Sequence, residues 1–243
     1  LQAIRRYQEA GGIFVVCTGR MLSSILPAVR RMGIESGLVV AYQGATVADI
    51  KTGKLIKDDA FGQISAATAV RVLEELDQHV HVYTVDEMYC NRDDEPLKAY
   101  ERMCGVKATV KENLTQFLEE EKPRIVKVLA MIKPEDGKML YERLTGALGE
   151  DCFVTFSSPY MVEVTPAGNT KGAAVKYLAN YYGVSVEEVA AIGDQLNDLP
   201  MIEAAGGKFT VENGDGRLKA IACVMPQCDE GGVAAALECV MKE

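Results

Sequence analysis

Apolar residues at positions 1, 3, 4 and 7, with charges between them, predict an amphipathic helix over 1–10 that ends at Gly11-Gly12. The unbroken apolar run Ile13-Phe14-Val15-Val16-Cys17 predicts a buried strand of a parallel sheet. A helix over 21–32, interrupted by Pro27, leads to a second buried strand at Leu38–Ala41, and 46–57 has the pattern of a hairpin. From about Phe61 the periodicity changes. Helices over 64–76, 95–104, 113–121 and 134–148 are interleaved with strands at 80–85, 88–91, 124–132, 152–156 and 160–165. The last two alternate apolar and polar positions, the mark of an antiparallel sheet with one open face. After Pro166 the strand–helix alternation returns, with a helix over 173–182, a strand at 189–192, a helix at 199–205 and a last core strand at 209–211. A short strand at 223–225 and closing helices at 218–221 and 232–241 complete the pattern.

This layout predicts an α/β protein with a doubly wound parallel sheet in the core. The core comprises 1–60 and 166–243, and residues 61–165 form an inserted α+β domain.

The 243 residues are 48% apolar and 25% charged, the composition of an ordinary globular protein. The net charge of −9, from 26 basic and 35 acidic residues, argues against a nucleic-acid partner, which needs clustered Lys and Arg. No apolar stretch is long enough to span a bilayer and nothing resembles a signal peptide, so no membrane association is expected. Seven scattered cysteines with no Cys-x-x-Cys pair fit reduced thiols in the cytoplasm, and zinc has no ligand cluster in the sequence. His79 and His81 share a face of one strand but lack a third ligand nearby in sequence, so a structural role is expected for them.

Three groups stand where ligands bind in open α/β sheets, at carboxyl ends of strands or starts of helices. Thr18-Gly19-Arg20 follows the first strand, and its hydroxyl and backbone amides suit either a helix cap or a phosphate. Lys171 opens a helix. Asp194, Asn197 and Asp198 follow the strand at 189–192, a turn-and-cap pattern that also suits magnesium, which takes one or two carboxylates and otherwise water or phosphate oxygens. A hydroxyl, an ammonium and a metal site are together the parts that hold a transferring phosphoryl group.

Thr18-Gly19-Arg20, Asn169-Thr170-Lys171-Gly172 and Gly193-Asp194-x-x-Asn197-Asp198-x-x-Met201 match the second, third and fourth motifs of the haloacid dehalogenase superfamily. Within it the chain resembles the Cof-type phosphatases, whose large α/β cap lies between the second and third motifs. The resemblance implies a magnesium-dependent phosphatase acting on small phosphorylated metabolites, such as sugar phosphates, through an aspartyl-phosphate. It implies that Thr18, Gly19, Gln43, Gly44 and Lys171 bind the phosphoryl group. It further implies that Lys171 and Asp198 serve catalysis and that Asp194 and Asn197 belong to the magnesium loop. Gln43-Gly44 departs from the family's usual Asn-Gly. The family's first motif, Asp-x-Asp-Gly-Thr, supplies the nucleophile and does not occur between Leu1 and Glu243. It is expected on a strand preceding Leu1. The alternative is a catalytically inactive module that binds phosphate or a metabolite. A dinucleotide-binding domain is disfavoured because no Gly-x-Gly-x-x-Gly follows the first strand. Asn91, Arg92 and Lys127 are candidates to contact the leaving group.

Overall fold

The computed structural model describes residues 1–242. Helix α1 (Gln2–Glu9) leads into β1 (Val16–Cys17), α2 (Leu22–Arg31), β2 (Leu38–Ala41), β3 (Thr46–Asp49) and β4 (Leu55–Asp58). These strands form one sheet in sequence order, β1 parallel to β2 and the others antiparallel. Helix α3 (Gln63–Glu75), β5 (His79–Tyr83), β6 (Met88–Cys90), α4 (Glu95–Cys104), β7 (Ala108–Val110), α5 (Leu114–Glu121), β8 (Lys127–Met131), α6 (Gly137–Leu148), β9 (Cys152–Ser158) and β10 (Met161–Pro166) follow. Their strands make a six-stranded sheet in the order β7-β6-β5-β8-β10-β9, antiparallel except for β6 and β7. The chain closes with α7 (Lys171–Tyr182), β11 (Ala190–Gly193), α8 (Leu199–Ala204), β12 (Gly207–Val211), α9 (Gly216–Lys219), β13 (Cys223–Met225) and α10 (Gly232–Val240). Strands β11, β12 and β13 form a parallel sheet of three.

Local chemistry sets the helix ends. The Asp94 carboxylate accepts from Leu97 N at the start of α4, and Gly105 closes that helix in the left-handed region. Thr170 caps α7 by accepting from Ala173 N, and α7 ends at left-handed Gly183. This cap starts α7 at Lys171, two residues before the apolar pattern does.

Packing follows the periodicity. Ala66, Ala69, Val70 and Leu73 of α3 lie at helical spacing and are buried against Val80, Val82, Val128 and Val162 of the six-stranded sheet. Each large aliphatic side chain buried there contributes about 1.5–3 kcal/mol.

Two expectations are corrected. Of the apolar run at 13–17, only Val16 and Cys17 pair, with Val39 and Val40. The rest of the run borders a cavity of about 500 Å³, with Val15, Val16 and Cys17 on one side and Ala190, Ala191 and Ile192 on the other. The core therefore holds two half-sheets that share no ladder across this apolar slot. The second correction concerns the six-stranded sheet, whose expected open face is covered. Lys127 and Glu163 point away from the apolar cluster under α3 and are buried against the first sheet and its loops.

Candidate functional site

Strand β1 ends at Cys17 and is followed by Thr18, whose backbone N–H donates to Val40 O at 3.0 Å. Gln43 N donates in turn to Thr18 O and Tyr42 N to Arg20 O, each at 3.1 Å, so the loops after β1 and β2 are held side by side. Gln43 sits at φ 60, ψ 17, a left-handed conformation that Asn takes more readily than Gln. Gly44 follows at φ +109, and a Cβ there would lie 2.6 Å from Thr170 O, so this loop packs directly on the start of α7.

Thr18 caps no helix. Its Oγ1 accepts from Arg20 N at 3.2 Å in a local turn, which leaves the hydroxyl proton available to a ligand.

Lys171 and Asp198 form a buried ion pair, Nζ to Oδ1 at 2.5 Å. Asp198 Oδ2 accepts from the backbone N–H of Asp194 at 2.9 Å and of Gln195 at 3.1 Å. Both oxygens of Asp198 are thus engaged in holding the lysine and the loop. Gly193 permits the close fit, since a Cβ on it would meet Asp198 Cβ at 2.4 Å. Burial pushes the Lys171 ammonium down, but the facing Asp198 carboxylate, aided by Glu163, outweighs burial and raises it above the ordinary lysine value. Lys171 is a fixed cation. Burial likewise pushes the neighbouring Cys17 thiol up to about 12, so it is no thiolate nucleophile.

Asp194 and Asn197 differ from Asp198 in having oxygens to spare. The side-chain hydrogen bond to Asp194 comes from Gln195 Nε2 at a long 3.4 Å. Asn197 Nδ2 donates to Gln43 Oε1 at 3.3 Å, while its buried Oδ1 has no partner among the described residues. An orphaned amide oxygen beside an unneutralised carboxylate is the donor set of a hard divalent cation, so these residues fit magnesium.

Thr18, Gly19, Lys171, Asp194, Asn197 and Asp198 share one cleft of about 350 Å³. Gln43 reaches it through Asn197 and Glu163, while Gly44 stands behind it against Thr170. The opposite wall comes from the six-stranded sheet and α4, with Tyr100, Met103, Lys127, Leu129, Met161 and Glu163. Lys127 Nζ donates to Gly19 O at 2.7 Å, lies 3.3 Å from Glu163 Oε2 and sits 4.5 Å from the centre of the Tyr83 ring. Gln43 Nε2 donates to Glu163 Oε2 at 3.0 Å. The strand alternation of 161–165 already set Glu163 apart from Val162 and Val164. Which face of that strand would be covered depends on a distant part of the chain.

Of the three candidates for the leaving group, only Lys127 lines the cleft. Asn91 bonds to Val80 N and Gln78 O, and Arg92 pairs with Asp77. The two histidines, expected to be structural for want of a third ligand nearby in sequence, gain a neighbour from the fold. Strand register sets Cys90 opposite His81, and His79, His81 and Cys90 form a buried cluster with ligand atoms within 4.8 Å of one another.

Residues 1–237 match the model of a family described as haloacid dehalogenase-like hydrolase. The chain belongs to that family. The 5-amino-6-(5-phospho-D-ribitylamino)uracil phosphatase YwtE of Bacillus subtilis is similar at 27% identity over 257 residues, 96% of this chain and 87% of that protein. A haloacid dehalogenase-like hydrolase from B. subtilis has a similar structure, with a TM-score of 0.86 at 26% identity over 98% of this chain and 90% of that one. TM0651 from Thermotoga maritima gives a TM-score of 0.78 at 27% identity, covering 98% and 88% of the two chains. Among the described residues, no helix is long and apolar enough to cross a membrane.

Proposed function

We propose that the protein is a magnesium-dependent phosphatase of small phosphorylated metabolites, sugar-phosphate-like monoesters among them, working through an aspartyl-phosphate. The observation that carries this reading is the orphaned Asn197 Oδ1 and spare Asp194 carboxylate in one cleft with the fixed Lys171 cation and the Thr18 hydroxyl. Thr18 donates to a phosphoryl oxygen, with Gly19 and the Gln43-Gly44 loop shaping the seat. Lys171 neutralises charge that spreads over the phosphoryl oxygens, and Asp198 holds Lys171 in place by an ion pair and two backbone hydrogen bonds. Magnesium, held by Asp194 and Asn197, supplies further charge neutralisation when bound.

The carboxylates on the cleft are committed elsewhere: Asp198 to Lys171, Glu163 to Lys127 and Gln43, and Asp194 to the metal. The nucleophile in this reading is the aspartate that the family resemblance assigns to a strand preceding Leu1. The apolar slot between β1 and β11 supports that assignment, since a parallel strand between these edges would present its carboxyl end beside Thr18 and Asp194. Residues 61–165 act as the cap, closing Lys127 and Glu163 over the substrate.

The test is hydrolysis of p-nitrophenyl phosphate by the full-length protein. Turnover requires magnesium and falls about 100-fold or more in Asp194→Asn. A full-length protein that hydrolyses no phosphate ester, while phosphate still raises its melting temperature, overturns catalysis and leaves a binding module.

A further inference from the structure

His79 and His81 lie two apart on β5, so both side chains leave the same face of the strand, and Cys90 on β6 pairs directly with His81. The ring nitrogens are oriented from behind. His79 Nδ1 is 3.1 Å from Asp94 Oδ2, and an ionised carboxylate only accepts, so Nδ1 carries the proton and the Nε2 lone pair faces inward. His81 Nδ1 is 3.1 Å from the Tyr83 hydroxyl, whose other neighbour is the Tyr100 hydroxyl at 2.9 Å. Both inward Nε2 atoms meet at 2.9 Å, and Cys90 Sγ stands 3.2 Å from that of His79.

We propose that His79 Nε2, His81 Nε2 and Cys90 Sγ form a zinc site inside the six-stranded sheet, separate from the acidic loop. Two imidazoles and one thiolate are a zinc donor set. Zn–N bonds of about 2.0 Å and Zn–S bonds of about 2.3 Å place tetrahedral ligand atoms roughly 3.3–3.6 Å apart. The edges at 2.9 and 3.2 Å need only a small expansion to reach that spacing, and all three ligand atoms already lie within 4.8 Å of one another. A carboxylate on the far nitrogen of a ligating histidine fixes its tautomer and raises its basicity, and Asp94 is held to that task because it also caps α4. Without the ion, His81 Nε2–H can donate to His79 Nε2 across the 2.9 Å contact. Zinc binding displaces this internal hydrogen bond. The His81 proton moves to Nδ1 and is donated to Tyr83, and the Cys90 thiol proton leaves to solvent, so one proton is released per ion. Tyr83 and Tyr100 carry the rearrangement towards the cleft, which Tyr100 lines.

The experiment uses the full-length, tag-free protein carrying Asp194→Asn, which removes the acidic-loop carboxylate from competition. Cobalt(II) is added and read by absorption, then displaced by zinc, with bound zinc measured after gel filtration. The expected result is a thiolate-to-cobalt charge-transfer band, one zinc per chain, and loss of both in Cys90→Ser. Asp94→Asn keeps the ligands but releases His79, and is expected to retain the band while weakening affinity roughly 10-fold or more. Absence of the band, or zinc uptake undiminished in Cys90→Ser, overturns the proposal. If Cys90→Ser does not fold, His79→Gln serves in its place, and unchanged uptake there overturns the proposal equally.

Discussion

Asp198 and Lys171 bury opposite charges on each other, so the two substitutions have unequal partners to leave behind. Lys171→Met strands a carboxylate that keeps only two backbone donors, and is expected to cost about 3–5 kcal/mol in urea denaturation as well as abolishing turnover. The sign of its pH dependence follows from the raised lysine. The pair's contribution is complete below the ordinary lysine value of 10.5 and is lost only as pH rises through the higher folded value. Urea midpoints between about pH 6 and 9 should therefore show no slope from this pair. Cys17→Ser is expected to keep kcat within a few-fold, because a thiol held up to about 12 by burial does no chemistry at the working pH. Among individual residues, Asp194, Asn197, Asp198, Lys171 and Thr18, which the structure brings to one cleft, stand out in the sequence through short-range grammar (strand, glycine, turn, helix start) together with the motif resemblance. Cys90 does not, because its partners are set by the pairing of β5 with β6 rather than by spacing along the chain.

At the scale of elements, the strand with the most consequence is β10. Its alternation is plain in the sequence, yet it announces only that Val162 and Val164 face one way and Glu163 the other. The closing of the first sheet's loops over Glu163 turns a nominal solvent face into a wall of the cleft. The same event buries Lys127 and Glu163, at 1% and 4% side-chain exposure. Lys127→Met alone is expected to destabilise by about 3 kcal/mol or more, and Lys127→Met with Glu163→Gln to recover part of that loss, as read by a double-mutant cycle in urea. A cycle with no coupling would show that Gly19 and Gln43 hold these side chains independently. Element boundaries were readable at the start of α4 and at Gly183, whereas the Thr170 cap starts α7 two residues before the apolar pattern shows it. Strand β7, only three residues long and largely exposed, was missed because Ala108–Val110 carries too little pattern to distinguish it from a loop.

Across the whole molecule, strand–helix alternation identified the doubly wound core, but it could not show which strand edges would pair with which. A run of apolar residues reads as a strand whether or not both of its edges find partners. The ladders β1–β2 and β11–β12–β13 share no backbone hydrogen bond, and contact between them is left to side chains such as Cys17 against Val175 and Ala191. Side-chain contact transmits cooperativity less strictly than a continuous ladder. In native-state hydrogen exchange, the amides of β11 and β12 in the chain Leu1–Glu243 are expected to open with a different free energy and denaturant slope from those of β2. Coincident slopes would mean that α7, packed between the acidic loop and the Gly44 turn, already couples the halves into one foldon. A strand bound in the slot would merge the two opening reactions and slow both, so exchange would report the joining of the halves independently of any turnover.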